Sequence, residues 1–118
     1  MKVLIIDDSS VDRHHLTSLL ESLGYEVDAY SSTQGVINQV SQQAYDYLFL
    51  DIVMPEQDGY KFLRELRANP ATANQRVVLY SSKGTPLEVS YGLKRSGANH
   101  YMVKPATKEK LATLLQPA

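Results

Sequence analysis

Five positions carry chemistry-bearing side chains at the ends of apolar runs. Asp7 and Asp8 follow Val3-Leu4-Ile5-Ile6, Asp51 follows Tyr47-Leu48-Phe49-Leu50, Ser82 follows Val77 to Ser81, and Lys104 follows His100-Tyr101-Met102-Val103. Gathered into one pocket, they would set three carboxylates beside a hydroxyl and an ammonium. Two like charges ~4 Å apart repel by about 4 kcal/mol at an effective dielectric near 20. Such a cluster must therefore hold protons or a cation. With no cysteine in the chain and no histidine at these strand ends, the donors are all oxygens, which favours Mg2+ or Mn2+ over zinc. Mg2+ is commonly held by one or two carboxylates and bridges to phosphate, and a hydroxyl and a lysine suit phosphate oxygens. An aspartate beside a divalent cation and a lysine can serve as a nucleophile that accepts a phosphoryl group. Asp51, at the end of the most apolar run, is the candidate nucleophile.

For these residues to meet, the runs must be neighbouring parallel strands. A continuous apolar run bounded by turn residues reads as a strand buried on both faces, as in a parallel sheet. Between the runs lie helix patterns. Ser9-Ser10 supplies caps for a helix whose stripe is Leu16, Leu19, Leu20 and Leu23, closed by Gly24. Glu26-Val27-Asp28-Ala29-Tyr30 alternates like a strand with one wetter face, and Ser31-Ser32-Thr33 reads as the cap of a helix carrying Val36, Ile37 and Val40. Tyr60, Phe62, Leu63 and Leu66 give a third helix, ending near Asn69-Pro70. A fourth helix is expected from Pro86 to Ser96, on its flanks rather than its periodicity, since Leu87, Val89, Tyr91 and Leu93 alternate in strand fashion. It should be labile, with Gly92 inside it. Lys108 to Leu115 closes the chain as a short helix.

Five βα units imply a doubly wound, five-stranded parallel α/β sheet with five helices, because right-handed crossovers lay helices on both faces. The expected strand order is 2-1-3-4-5. Its switch point falls between strands one and three, which brings Asp7, Asp8 and Asp51 together, with Ser82 and Lys104 on the flanking strands.

At 118 residues the chain is the size of one domain. No apolar run approaches the length of a membrane span, and no Lys/Arg cluster accompanies the net charge of −1. Neither membrane insertion nor direct nucleic-acid binding is expected. The start Met1-Lys2-Val3 enters a strand without a signal-peptide pattern, so a cytoplasmic setting is expected.

The motifs together resemble the receiver domain of two-component response regulators, of the single-domain kind found in chemotaxis and pilus-based motility. They are Asp7-Asp8, Asp51-Ile-Val-Met-Pro-Glu-Gln-Asp-Gly, Ser82, Gly97-Ala98, and Tyr101 followed by Lys104-Pro105. The resemblance spans nearly the whole chain and implies a flavodoxin-like receiver fold over residues 1–118 with no effector domain. It implies Asp51 as phosphoacceptor and Asp7, Asp8, Asp51 and the Val53 backbone carbonyl as Mg2+ ligands. Ser82 would be the switch hydroxyl, Lys104 the partner of the phosphoryl group, and Tyr101 the aromatic that turns inward. The Lys104-Pro105 peptide is expected to be cis. Lys83 stands where a small residue is frequent, and Ser82 where threonine is more frequent. Val53 and Gly84, each two residues beyond a functional side chain, are expected to border the path of the hydrolytic water. The partners implied are a sensor histidine kinase and a downstream target bound through helix four, strand five and helix five. The chain would act as a switch, not a metabolic enzyme; the alternative is the receiver part of a larger regulator.

Rival chemistries fit less well. A flavin-binding protein of this topology needs a Ser/Thr/Gly-rich phosphate loop after strand one, where this chain has Asp7-Asp8. A haloacid-dehalogenase-type phosphatase needs an aspartate two residues beyond its nucleophile, and Val53 stands there. His14 and His15 are adjacent on a helix, point ~100° apart and cannot chelate together, so they read as helix-surface or partner-face residues.

Overall fold

The structure, a computed structural model, describes residues 1–43, 45–54, 57–95 and 97–115, with backbone alone at 53, 54, 57, 58, 92 and 95. The strands are β1 (Lys2–Ile6), β2 (Glu26–Tyr30), β3 (Tyr47–Leu50), β4 (Val77–Ser81) and β5 (His100–Val103). The helices are α1 (Ser10–Ser22), α2 (Val36–Gln42), α3 (Gly59–Ala68), α4 (Pro86–Arg95) and α5 (Lys108–Leu114). All five strands are parallel, in the order β2-β1-β3-β4-β5, as the sequence implied. A two-residue antiparallel pairing of Val53–Met54 with Gln57–Asp58 follows β3.

Both faces of the sheet are covered, which is why the strands read as continuous apolar runs. Leu4, Ile6, Leu48, Leu50, Val77 and Leu79 pack with Val36 and Val40 of α2 and Phe62, Leu63 and Leu66 of α3. Val3, Ile5, Tyr47, Phe49, Val78 and Tyr80 pack on the other side with Leu16 and Leu20 of α1 and Leu111 of α5. At the edge, β2 has no fully buried residue, and its burial does not follow the expected alternation, since Val27 and Asp28 are half-buried while Ala29 and Tyr30 are exposed.

The helix boundaries follow local chemistry, with one correction. Ser9 caps α1 by accepting from the Asp12 amide, and Thr107 caps α5 by accepting from the Lys110 amide. Ser31-Ser32-Thr33 does not cap α2: the helix starts at Val36 behind Gly35, whose φ of 75° is left-handed, and the Val36 amide reaches the Thr33 carbonyl. The positive φ of Gly35 closes a turn between Thr33 and Val36 and delays the helix. At α4 the flanking signals hold, since the helix runs from Pro86 to Arg95 and Gly97 follows at φ 82°.

One side chain ties the amino-terminal edge of β4 and β5 to α3. Arg67 donates to the carbonyls of Ala73, Gln75 and Gly97 and to Asn99 Oδ1, which also accepts from the Val77 amide.

Candidate functional site: an acidic pocket at the sheet switch point

Asp7 and Asp51 are brought together by register. Ile6 lies opposite Leu50, and the Asp51 amide donates to the Ile6 carbonyl at 2.9 Å, so both strands leave the sheet at the same level. Asp7 is 1% exposed and Asp51 5%, while Asp8 is exposed. One oxygen from each of the three lies within 4.8 Å of the others. Asp7 is fixed from behind, its Oδ1 accepting from the Ser9 amide at 2.9 Å. The all-oxygen donor set, partly buried and partly open, fits a hard divalent cation.

The backbone behind Asp51 is closely backed. A Cβ on Gly59, the first residue of α3, would sit 2.7 Å from the Asp51 carbonyl oxygen and 2.7 Å from Ile52 Cα, so only glycine lets α3 start against this strand end.

Lys104 enters from β5, its amide donating to the Ser81 carbonyl. The Lys104-Pro105 peptide is cis, as the resemblance implied. The lysine side chain crosses the Tyr80 ring, with Nζ 5.1 Å from the ring centroid. Nζ lies 2.8 Å from Asp7 Oδ2, 2.8 Å from Asp12 Oδ2 and 3.7 Å from Asp51 Oδ2. Burial works to lower its pKa, but the bonds to Asp12 and Asp7 and the charge of Asp51 outweigh it and raise it above the ordinary lysine value. Conversely the hydrogen bond from Lys104 holds Asp12 below the usual carboxylate range. Asp12 is the member of this cluster that the strand-end pattern does not reveal. The available signal is its place in the first turn of a helix opening at the site.

The two serines at the end of β4 differ. Ser81 is 1% exposed and accepts from the Lys83 amide, whereas Ser82 is exposed. Side chains alternate along a strand, so Ser81 shares the face of Leu79 and Leu50, where Tyr101 also packs. The structure thus turns Ser81 toward the interior and Ser82 toward solvent.

Tyr101 is half-buried, and its hydroxyl donates to the Lys83 carbonyl at 2.6 Å. Burial pushes this hydroxyl above 10.0, an effect that the Ser81 side chain partly offsets. Val53 pairs with Asp58 just beyond Asp51, and its side chain lies outside the described atoms. Gly84 lies against β5: a Cβ there would stand 2.9 Å from Val103 Cγ1. His14 and His15 are exposed on α1, and His15 Nε2 is 2.8 Å from the Ala106 carbonyl oxygen. Among the described residues, no helix is long and apolar enough to cross a membrane.

Strand order, acidic switch point and fifth-strand lysine define a receiver, and the chain belongs to the response regulator receiver domain family, whose model matches residues 3–116. It is 31% identical over 110 residues to the protein PilH of Pseudomonas aeruginosa, covering 93% of this chain and 90% of that one. It is 33% identical over 104 residues to the gliding motility regulatory protein of Myxococcus xanthus, covering 88% of this chain but only 13% of that one. Among solved structures, chemotaxis protein CheY4 of Vibrio cholerae superposes with a TM-score of 0.84 at 26% identity, covering 97% of this chain and 94% of that one. The receiver domain of the sensor histidine kinase PA1611 from P. aeruginosa, solved with a magnesium ion coordinated in its active site cleft, gives 0.85 at 26% identity, covering 98% and 93%.

Proposed function

We infer that this domain is a phosphorylation-dependent signalling switch in which Asp51 accepts a phosphoryl group from a histidine kinase. The observation that carries this reading is the placement of a 5%-exposed carboxylate at the sheet switch point, with two further carboxylates within 4.8 Å and an ammonium 3.7 Å away. In the transfer, an Asp51 carboxylate oxygen forms a bond to phosphorus while the bond from phosphorus to the donor nitrogen breaks. The electron pair leaves with that nitrogen, which takes up a proton.

Asp7, Asp8 and Asp51, with the Val53 carbonyl, would hold Mg2+; Mn2+ suits the same oxygens. Bound there, the ion would neutralise charge on the transferred group. Lys104 supplies a positive charge that is present at any working pH. For the switch hydroxyl we assign Ser81 rather than Ser82, because it is the buried one on the Tyr101 face. A phosphoryl group captured by Ser81 would pull on the β4–α4 connection, whose Lys83 carbonyl is held by Tyr101. Output would be protein binding on the face of α4, β5 and α5. That face carries an open groove lined by Leu93, His100, Tyr101, Val103, Lys110 and Leu114. The gliding motility relative supports this choice of output over catalysis on a small molecule.

The test is chemical labelling. Incubation with Mg2+ and phosphoramidate is expected to give one hydroxylamine-labile phosphoryl adduct, abolished in Asp51→Asn and absent when Mg2+ is chelated. An adduct that survives in Asp51→Asn would refute the assignment.

A further inference from the structure

Lys104 is bonded to two carboxylates, and neither is the nucleophile. Its contacts at 2.8 Å with Asp7 and 2.8 Å with Asp12 are charge-assisted hydrogen bonds, while Asp51 at 3.7 Å lies outside hydrogen-bond range. The ammonium thus pairs electrostatically with Asp51 but spends its short hydrogen bonds on the other two carboxylates.

The two partners differ in what they can relinquish. The Asp7 side chain is 1% exposed, so without Lys104 its Oδ2 would face a dry interior. The Asp12 side chain is 37% exposed and can exchange the lysine for water at little cost. Nor does α1 depend on the Asp12 carboxylate for its start, because Ser9 caps the helix through the Asp12 backbone amide at 3.2 Å.

Resting on the reading of Asp51 as phosphoacceptor, we propose that Asp12 is a positioning residue that parks Lys104 in the unphosphorylated protein and gives it up when a phosphoryl group arrives on Asp51. A phosphoryl group presents three strong acceptor oxygens and more negative charge than a carboxylate, so the lysine exchanges its solvent-exposed partner and keeps the buried one. An interaction made in the ground state and surrendered in the transition state slows the step. Asp12 is therefore a brake on phosphorylation, built from the first turn of α1.

The experiment measures phosphorylation by phosphoramidate at fixed Mg2+ in the unsubstituted protein, Asp12→Asn, Lys104→Met and the double variant. Asp12→Asn is expected to react about twofold to fivefold faster, in the range of a part-exposed ion pair, and Asp12→Glu to return the rate toward that of the unsubstituted protein. In the Lys104→Met background, Asp12→Asn is expected to change nothing. A second readout needs no phosphodonor: in Mg2+-free protein the Lys104 ammonium nitrogen resonance is expected to move and broaden in Asp12→Asn. Equal acceleration in both Lys104 backgrounds would overturn the proposal, as would an unchanged or slower rate in a folded Asp12→Asn protein. Absence of labelling in the unsubstituted protein would overturn the phosphoacceptor reading, and the brake with it; labelling without the Asp12 effect would overturn the brake alone.

Discussion

Two neighbouring helices of ten residues each, α3 and α4, dock on the molecule in different ways. α3 buries Gly59, Phe62, Leu63 and Leu66 and starts in backbone contact with the strand end that carries Asp51. α4 leaves Leu87 81%, Tyr91 52% and Leu93 39% exposed, and none of its described side chains is buried. The difference originates in the sequence. The apolar residues of α3 fall three and four apart and form one stripe, whereas those of α4 alternate and cannot all face the core. What holds α4 is sparse: Thr85 caps its start by accepting from the Glu88 amide, and Tyr91, midway along, meets Tyr60 edge-on, with ring centroids 5.3 Å apart. The helix that positions chemistry is anchored, and the helix proposed to report it is lightly attached. Elements that change conformation are drawn from such weakly packed regions.

The sharpest way to break this comparison is to truncate both helices. Phe62→Ala is expected to lower stability by about 3–5 kcal/mol in urea denaturation, and Leu87→Ala to change it by less than about 0.5 kcal/mol. Equal losses would mean that α4 is packed as firmly as α3. The next effect is local to the site. Gly59→Ala must push α3 off the Asp51 backbone, an overpacking expected to lower stability by about 1–3 kcal/mol. Its phosphorylation rate should fall even where the variant remains folded; an unaffected rate would show that this contact does not set the nucleophile's position.

The smallest expected effect concerns pH and the α4 side alone. Burial raises the Tyr101 hydroxyl above 10.0, so the folded state favours its protonated form. The stability from this group is fully present below 10.0 and is lost as pH rises through the raised folded-state value. Tyr101→Phe is therefore expected to unfold with a flatter alkaline dependence than the unsubstituted protein. Parallel curves for the two would show that ionising Tyr101 does not loosen the connection to α4.

The architecture was legible because buried parallel strands leave unbroken apolar runs, and their ends name the residues at the switch point. Asp7, Asp8, Asp51 and Lys104 were legible on that ground. Which of two hydroxyls faces inward was not, because one residue of uncertainty at a strand end moves a side chain to the opposite face, and Ser81-Ser82 offers a hydroxyl in both phases. The same shift moves the position two residues beyond the hydroxyl from Gly84 to Lys83, while a side chain at Gly84 would collide with Val103. Asp12 was illegible for another reason. An acidic residue in a first helical turn already has a local explanation in the helix dipole, and only the tertiary path of Lys104 supplies a second.

Arg67 sets a mechanical boundary on whatever α4 does. Its Nε donates to the Gly97 carbonyl, two residues beyond the end of α4, and its other donors fix the Ala73–Gln75 turn and Asn99. The carboxyl-terminal end of α4 is thus a fulcrum, and the end of the lever away from it is the one beside Ser81. Ten residues of helix make an arm of about 15 Å, so a tilt of ~10° about that fulcrum sweeps the free end through roughly 2.6 Å while its base stays almost still. A displacement of one hydrogen-bond length at the proposed phosphorylation site would thereby reach the surface as a change of helix angle.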